Sequence, residues 1–478
     1  MSDKPLDIYL IGICGTGMGA LAGMLKRLGH HVRGADASVY PPMSEKLREW
    51  GIEPLEGYDP THLDRAPDLV VVGNVIRRDN PEAVAARERG LASVSMPEAI
   101  ARFGIRDKHS VVIAGTHGKT TTTALAAHVL VATGRDPSFL VGGALVGYTD
   151  SFRVGGGDFF VIEGDEYDTA YFDKGPKFLH YRPRTAVITS VEFDHADIFP
   201  SIEAVDGAFR GLIERVPSDG HIVVWAGATR ARRLIAESAR GARVTVYATE
   251  FQADADLYLR SFASGPDGLR IEPVLEGKSL GPMRVPLWGV HSAANTLAVI
   301  GALRDAHLDA SELGEALASF RGVRRRMEVR GELGGVALID DFAHHPTAVR
   351  ETVAAARTRW PGRRVWAVFE PRSATTRRNI LQDDLAVALA HADCAIIASH
   401  ARLAEVPEAQ RFDPPAVART ICERGRRGFF EPQVDGIVEC LARETRPGDV
   451  VLILSNGDFG GLHKKLLARL NLGAQDAS

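Results

Sequence analysis

The chain has 478 residues, enough for about three domains at ~150 residues each, with 45% hydrophobic and 25% charged residues. Its 57 basic residues are matched by 61 acidic ones, a net charge of −4. That excludes a general electrostatic grip on nucleic acid, because no basic excess exists to neutralise a run of phosphates.

Glycine is the one excess, 48 residues, or ~10% where ~7% is usual. No apolar run approaches the ~18–20 residues that cross a bilayer. The opening MSDKPLDIYLIG carries no basic segment followed by an apolar core. A cytoplasmic protein without membrane contact is expected. Cys14, Cys394, Cys422 and Cys440 are scattered and form no CxxC pair, so neither a zinc site nor a disulfide framework is expected.

Short apolar runs alternate with helical patterns along most of the chain. Strands are predicted at 8–13, 68–73, 110–115, 158–164, 185–190, 221–225, 336–340, 365–370, 394–399 and 449–455. They are apolar on both faces, as strands of a sheet covered on both sides should be. Strand alternating with helix argues for an α/β protein with parallel sheets. The pattern weakens over 245–285 into short polar strands and turns, which suggests an antiparallel addition to a middle domain. Polar seams near 104–109 and 319–331 divide the chain into expected domains 1–107, 108–320 and 321–478. The outer two should be Rossmann-like and the central one a phosphate-loop ATPase-like sheet.

Strand 8–13 runs into GICGTGMGALAGML, then a second strand ending in Asp36. Glycines there let the backbone approach a pyrophosphate at a helix N-terminus. The fingerprint is imperfect: read from Gly12 its second glycine is Cys14, and read from Gly15 it becomes GxGxxA, ending at Ala20.

Strand 110–115 runs into GTHGKTTTT (115–123). Its N–H groups can cradle phosphate oxygens, Lys119 can reach the terminal phosphates and Thr120 can ligate Mg²⁺. The loop is a shortened GxxGKT, since Ile113 stands where the longer motif begins with glycine.

Two further strands end in acids that could meet this loop. One carries Glu163, Asp165, Glu166 and Asp168, the other Glu192, Asp194, His195 and Asp197. Mg²⁺ needs such oxygen ligands, and strand carboxyl ends form the ligand crevice of parallel sheets. The segment 289–303 reads as a helix led by His291 and Asn295. RGVRRRME (321–328) offers a cluster of arginines for phosphates. DDFAHHP (340–346), FEPRSATTRRN (369–379) and SNGDFGG (455–461) are polar strand ends suited to a substrate with carboxylates.

Two other classes fit parts of this pattern. A nicotinamide dehydrogenase would use the first glycine turn but leave GTHGKTT without a role. A non-catalytic nucleotide-regulated binding protein would keep the phosphate loop but not the converging acids and His195.

The ordered set GICGTGM, GTHGKTT, EGDEYD, EFDH, GxHxxxN, RRRME and DDFAHHPT resembles the Mur ligase family over essentially the whole chain. Within it, YPPMS, GNVIRRDNPE, KFLHYRPRTAVITSVEFDHADIF and the FEPRS and SNGDFGG segments are similar to one branch in particular. That branch joins UDP-N-acetylmuramate to the preformed murein tripeptide L-alanyl-γ-D-glutamyl-meso-diaminopimelate. The alternative is the branch that adds L-alanine, which typically has FQPH where this chain has FEPR, and tyrosine where it has Phe342.

The resemblance implies an ATP- and Mg²⁺-dependent amide ligase acting through an acyl phosphate in peptidoglycan recycling. It implies that Gly12, Cys14, Gly15, Thr16, Gly17, Met18, Asp36 and Asn74 hold the UDP-sugar. Gly115, Thr116, His117, Gly118, Lys119, Thr120, Thr121, His291, Asn295, Arg326 and Asp341 would hold ATP. Thr120, Glu163 and His195 would hold the metal, Arg372, Ser373, Asn456 and Gly457 the peptide, and Lys119, His195 and His344 would act in catalysis. Ser292 stands where many members carry asparagine, which weakens an adenine contact there. No lysine occurs between 196 and 216, so the carbamylated lysine of sister ligases is absent. Oligomeric state, monomer or dimer, is left open.

Overall fold

The structure is a computed structural model and describes residues 4–196 and 198–476, so Asp197 lies outside it. Three sheets follow one another along the chain. The first has five parallel strands in the spatial order Leu55–Glu56, His31–Asp36, Asp7–Ile11, Leu69–Val72, Ser93–Ser95. Chain order reverses between Asp7–Ile11 and Leu69–Val72. That switch point leaves a crevice beyond their carboxyl ends, at the glycine turn.

The central sheet has 11 strands. The strand leading to the phosphate loop, His109–Ala114, lies parallel between Thr185–Ile188 and Phe159–Gly164. All three candidate strand ends are therefore neighbours. The expected antiparallel addition is present: Leu257–Gly265 pairs antiparallel with Gly268–Leu275, which pairs antiparallel with Lys278–Ser279 and Met283–Val285. The third sheet has six strands, five of them parallel. Its edge strand, Glu328–Leu333, runs antiparallel to Val336–Asp341. The sequence pattern reads that segment as a connector, because its polar edge residues conceal the strand.

The predicted strands are apolar on both faces because helices cover both sides. Val365–Phe369 and Val450–Leu454 are buried at every position. Helix Lys119–Ala132 is alanine-rich and buried along most of its length, packed against helix Val290–Ala302. That placement suits its lack of a polar face.

The first helix, Thr16–Arg27, explains part of the glycine excess differently from the sequence reading, which tied the glycines of 12–19 to ligand approach. A Cβ on Gly19 would lie 2.2 Å from the Met43 sulfur, and one on Gly23 would lie 2.5 Å from the Phe152 ring. These glycines admit close packing. Phe152, from the central sheet, stands edge-on to Trp50 of the first segment at 5.1 Å between centroids. Arg27 pairs with Asp150 nearby, so the first and second sheets are tied together on this face.

Candidate active site

The phosphate loop is built by backbone geometry before any side chain acts. Gly118 has φ of 81°, a left-handed conformation that glycine adopts without penalty, and it opens helix Lys119–Ala132. A Cβ there would lie 2.6 Å from Asn295 Oδ1. Asn295, from the helix at 290–302, is thus packed under the loop, while His291 sits one turn earlier. Burial pushes the His291 imidazole down to about 4. Its Nδ1 has no hydrogen-bond partner and lies 3.8 Å from Glu351 Oε2. The Thr116 N–H donates to Ser190 O (3.2 Å), and the His117 N–H to Ser190 Oγ (3.1 Å).

Lys119 folds back over the loop. Its Nζ donates to Gly115 O at 2.6 Å and to both Glu166 oxygens at 3.0 and 3.2 Å. Burial would lower the Lys119 pKa, but the charges of Glu166 and Asp165, with Glu163 behind them, outweigh it and hold the ammonium above its usual range. His195 Nε2 lies 3.4 Å from Glu166 Oε1. Burial opposes its protonation too, yet Glu166 and Asp194 raise its pKa overall.

Beside this chain of charges, Thr120 Oγ1 donates to Glu163 Oε2 at 3.0 Å, and the Gly142 N–H donates to Glu163 Oε1. Burial and the neighbouring Asp165 raise the Glu163 pKa. A hydroxyl and a carboxylate are oxygen donors that suit Mg²⁺ when it also keeps waters and phosphate oxygens. The three residues assigned to metal fall into two contact groups, Thr120–Glu163 and Glu166–His195. Glu166, left among four equivalent acids by the sequence, is the link to Lys119.

The C-terminal segment reaches this site directly. Arg326 donates to Thr120 Oγ1 at 3.2 Å and lies over the Phe342 ring, 4.7 Å from its centroid. The other arginines of the cluster do different work. Arg325 donates to Ser455 O and Gly457 O, while Arg324 turns outward to Glu328. Asp341 is 5% exposed and accepts the N–H groups of Met327 (2.7 Å) and Ala343 (2.8 Å). It therefore shapes the backbone that presents Arg326 and Phe342. His344 Nδ1–H donates to Phe342 O at 3.0 Å.

Further contacts cross between the two sheets. Thr375 Oγ1 donates to Asp194 Oδ1 at 2.8 Å, and Thr347 Oγ1 to Glu192 Oε2 at 3.0 Å. His117 Nε2 lies 3.2 Å from the same Glu192 oxygen, and His345 Nδ1 lies 3.7 Å from it. Glu192 and Asp194 are expected only as acids near the loop and His345 only as part of a polar strand end, while Thr347 and Thr375 are given no role. The sequence shows them only as strand-end polar residues some 150 positions apart, and pairing between sheets has no local signal.

The remaining expected residues occupy two other places. Gly12 has φ of 87° and Gly15 caps helix Thr16–Arg27. The Cys14 N–H donates to Asp36 Oδ2 at 2.8 Å, so Asp36 holds the turn itself. A Cβ on Gly17 would lie 3.1 Å from Met96, and Met18 is buried. Asn74 is exposed just beyond strand Leu69–Val72, across the switch-point crevice.

At the far end, the Arg372 guanidinium lies flat against Gly457, where a Cβ would come within 2.0 Å of it. The Gly457 N–H donates to Ser455 Oγ, whose hydroxyl in turn bonds Glu370. Ser373 Oγ lies 2.9 Å from Thr376 Oγ1. Asn456 Oδ1 is buried without a partner, an acceptor available to a ligand. Thr121 lies in the first turn of the helix after the loop.

Three family profiles match the chain in succession. They are the Mur ligase family catalytic domain over 7–107, the Mur ligase middle domain over 113–303 and the Mur ligase glutamate ligase domain over 325–457. A UDP-N-acetylmuramate–L-alanyl-γ-D-glutamyl-meso-2,6-diaminoheptandioate ligase of Escherichia coli is 39% identical over 99% of this chain and 100% of its own length. A UDP-N-acetylmuramate–L-alanine ligase of Anaeromyxobacter is 34% identical over 98% of each. The crystal structure of a murein peptide ligase from Psychrobacter arcticus superposes with a TM-score of 0.72 at 32% identity, covering 97% of this chain and 98% of that one.

Proposed function

The chain belongs to the Mur ligase family, and on that premise we propose that it joins the lactyl carboxylate of UDP-N-acetylmuramate to the amine of L-alanyl-γ-D-glutamyl-meso-diaminopimelate. It is an ATP-dependent, amide-forming ligase of peptidoglycan metabolism. The observation that carries the reading is the meeting of Lys119, Glu166 and His195 with Thr120, Glu163 and Arg326, the last arriving from another sheet. The tripeptide is favoured over alanine by the 39% identity over full length and by the FEPRS and SNGDFGG loops meeting at Arg372 and Gly457.

When bound, MgATP supplies the phosphoryl group that turns a poor electrophile, the carboxylate, into an acyl phosphate. Family membership implies its use. Lys119 and Arg326 neutralise charge at the transferring phosphoryl group, and Thr120, Glu163 and His195 hold the metal. Gly115, Thr116, His117, Gly118 and Thr121 surround the phosphates, with His291 and Asn295 on the nucleotide side. Asp341 positions Arg326. The turn at 12–18, with Asp36 and Asn74, holds the UDP-sugar. His344, Arg372, Ser373, Asn456 and Gly457 receive the peptide, whose carboxylates suit a guanidinium fork.

Domain limits of 1–107, 108–320 and 321–478 give one segment to each substrate. Contacts from Thr347 and Thr375 join the C-terminal segment to the strand end that carries Glu192 and Asp194, and closure there would keep water from the activated carboxyl. No helix among the described residues is long and apolar enough to cross a membrane, and we place the protein in the cytoplasm with its nucleotide substrates. The test is a competition assay. The purified chain, given ATP and UDP-N-acetylmuramate with equal tripeptide and L-alanine, yields mainly the tripeptide adduct by mass spectrometry. A dominant alanine adduct overturns the choice.

A further inference from the structure

His117, Glu192 and His345 form the one group among the described residues whose His, Cys, Asp or Glu ligand atoms all lie within 4.8 Å of one another. The three come from loops after three different strands. Glu192 Oε2 is the common atom, 3.2 Å from His117 Nε2 and 3.7 Å from His345 Nδ1. A tetrahedral ion with bonds of ~2.0–2.1 Å sets its ligands ~3.3 Å apart, so the first pair is already at that spacing and the second nearly so. The two rings lie 4.5 Å apart between centroids, tilted by 42°.

The ligands are held from behind. The Ser190 hydroxyl accepts the His117 N–H, the Thr116 hydroxyl accepts the Glu192 N–H, and Thr347 Oγ1 donates to Glu192 Oε2. This is the kind of outer support that metal ligands need. His345 Nδ1 is otherwise engaged only by the Thr347 N–H at 3.4 Å, longer than an ordinary bond.

We propose that His117, Glu192 and His345 form a second metal site, separate from the Thr120–Glu163–His195 set, that takes a transition-metal dication of the Zn²⁺ class and pins the phosphate loop to the C-terminal segment. Two imidazoles and one carboxylate are the donors of His₂Glu zinc sites that keep a position open. Mg²⁺ prefers an all-oxygen shell and is a poor fit here. The site exists only while the central and C-terminal sheets are together, because His345 comes from one and His117 and Glu192 from the other.

The test uses the full chain without nucleotide or Mg²⁺. Co²⁺ is titrated in as a spectroscopic stand-in, then displaced by Zn²⁺, and the zinc-loaded protein is examined by X-ray absorption. The expected result is one tight equivalent with two imidazoles in the first shell. One imidazole or none overturns the proposal, since the Thr120–Glu163–His195 set offers only His195. Glu192→Gln and His345→Asn should each weaken binding at least ~100-fold, and Thr347→Val about 10-fold. Glu163→Gln should leave it unchanged. Undiminished binding in both ligand variants, with folding checked by circular dichroism, also overturns it. The absorption measurement needs no variant and stands if either one fails to fold.

Discussion

Replacing Lys119 by alanine separates two effects that the structure ties together. The ammonium lies within 3.0 and 3.2 Å of the two Glu166 oxygens, with side chains 13% and 5% exposed. Removing one partner of such a buried pair costs about 3–5 kcal/mol, because the other charge is left without compensation. Here His195 stays 3.4 Å from Glu166 and takes over part of that role, so about 2–3 kcal/mol is expected. For a cooperative unit of 150–250 residues that is a fall of roughly 5–10 °C in Tm.

Turnover should fall at least ~10³-fold, since the cation we assign to the transferring phosphoryl group is lost. The double variant Lys119→Ala with Glu166→Gln removes the stranded charge. It should regain stability to within about 1 kcal/mol of the parent without regaining activity. Calorimetry reads the first quantity and a coupled ADP-release assay the second. An unchanged Tm in the single variant refutes the burial argument. Turnover above a tenth of the parent in either variant refutes the assignment of Lys119 to the phosphates.

Arg326→Lys should raise the KM for ATP by about 10-fold or more, because a point charge cannot reproduce both the Thr120 contact and the stack on Phe342; an unaltered KM in steady-state kinetics would count against the arginine's role. His195 should titrate above 6.5, since Glu166 and Asp194 together outweigh burial. Its contribution to stability is then complete below pH ~6.5 and fades as pH rises through the elevated pKa. In Glu166→Gln the imidazole titration followed by NMR should move down, and an unmoved midpoint would show that Glu166 is not its partner. Gly118→Ala should cost about 1–2 kcal/mol from backbone strain alone at φ of 81°, with more from the clash on Asn295 Oδ1; denaturant unfolding that matches the parent would refute the steric reading of the loop.

Much of the molecule was legible in the chain itself. The apolar strands, the phosphate loop at 115–118 and the weakened pattern over 245–285 carry their physics locally. A buried strand must be apolar, and a turn at positive φ calls for glycine. The ordered motifs likewise fixed the family and the phosphate loop. Other features had no local signal. The edge strand Glu328–Leu333 is polar and half-exposed, so it looks like a connector. Gly19 reads as part of a ligand turn until Met43 is seen against it, and Gly23 has no evident reason until Phe152 is.

The resemblance picked out Glu163 and Arg326, but the part played by Glu166 and the physical basis of each choice lay beyond the sequence. Glu163, Asp165 and Glu166 are close along the chain, but only the fold turns Glu163 to Thr120 and Glu166 to Lys119 and His195. The three arginines at 324–326 are alike as letters, and the backbone that Asp341 holds sends only Arg326 to Thr120. The gathering of His117, Glu192 and His345 depends on two sheets approaching each other. The sequence determined which chemical groups stand at the strand ends, because that information is local. Which of them meet was decided by the packing of one sheet on another, since contacts between residues hundreds of positions apart are set by the whole core.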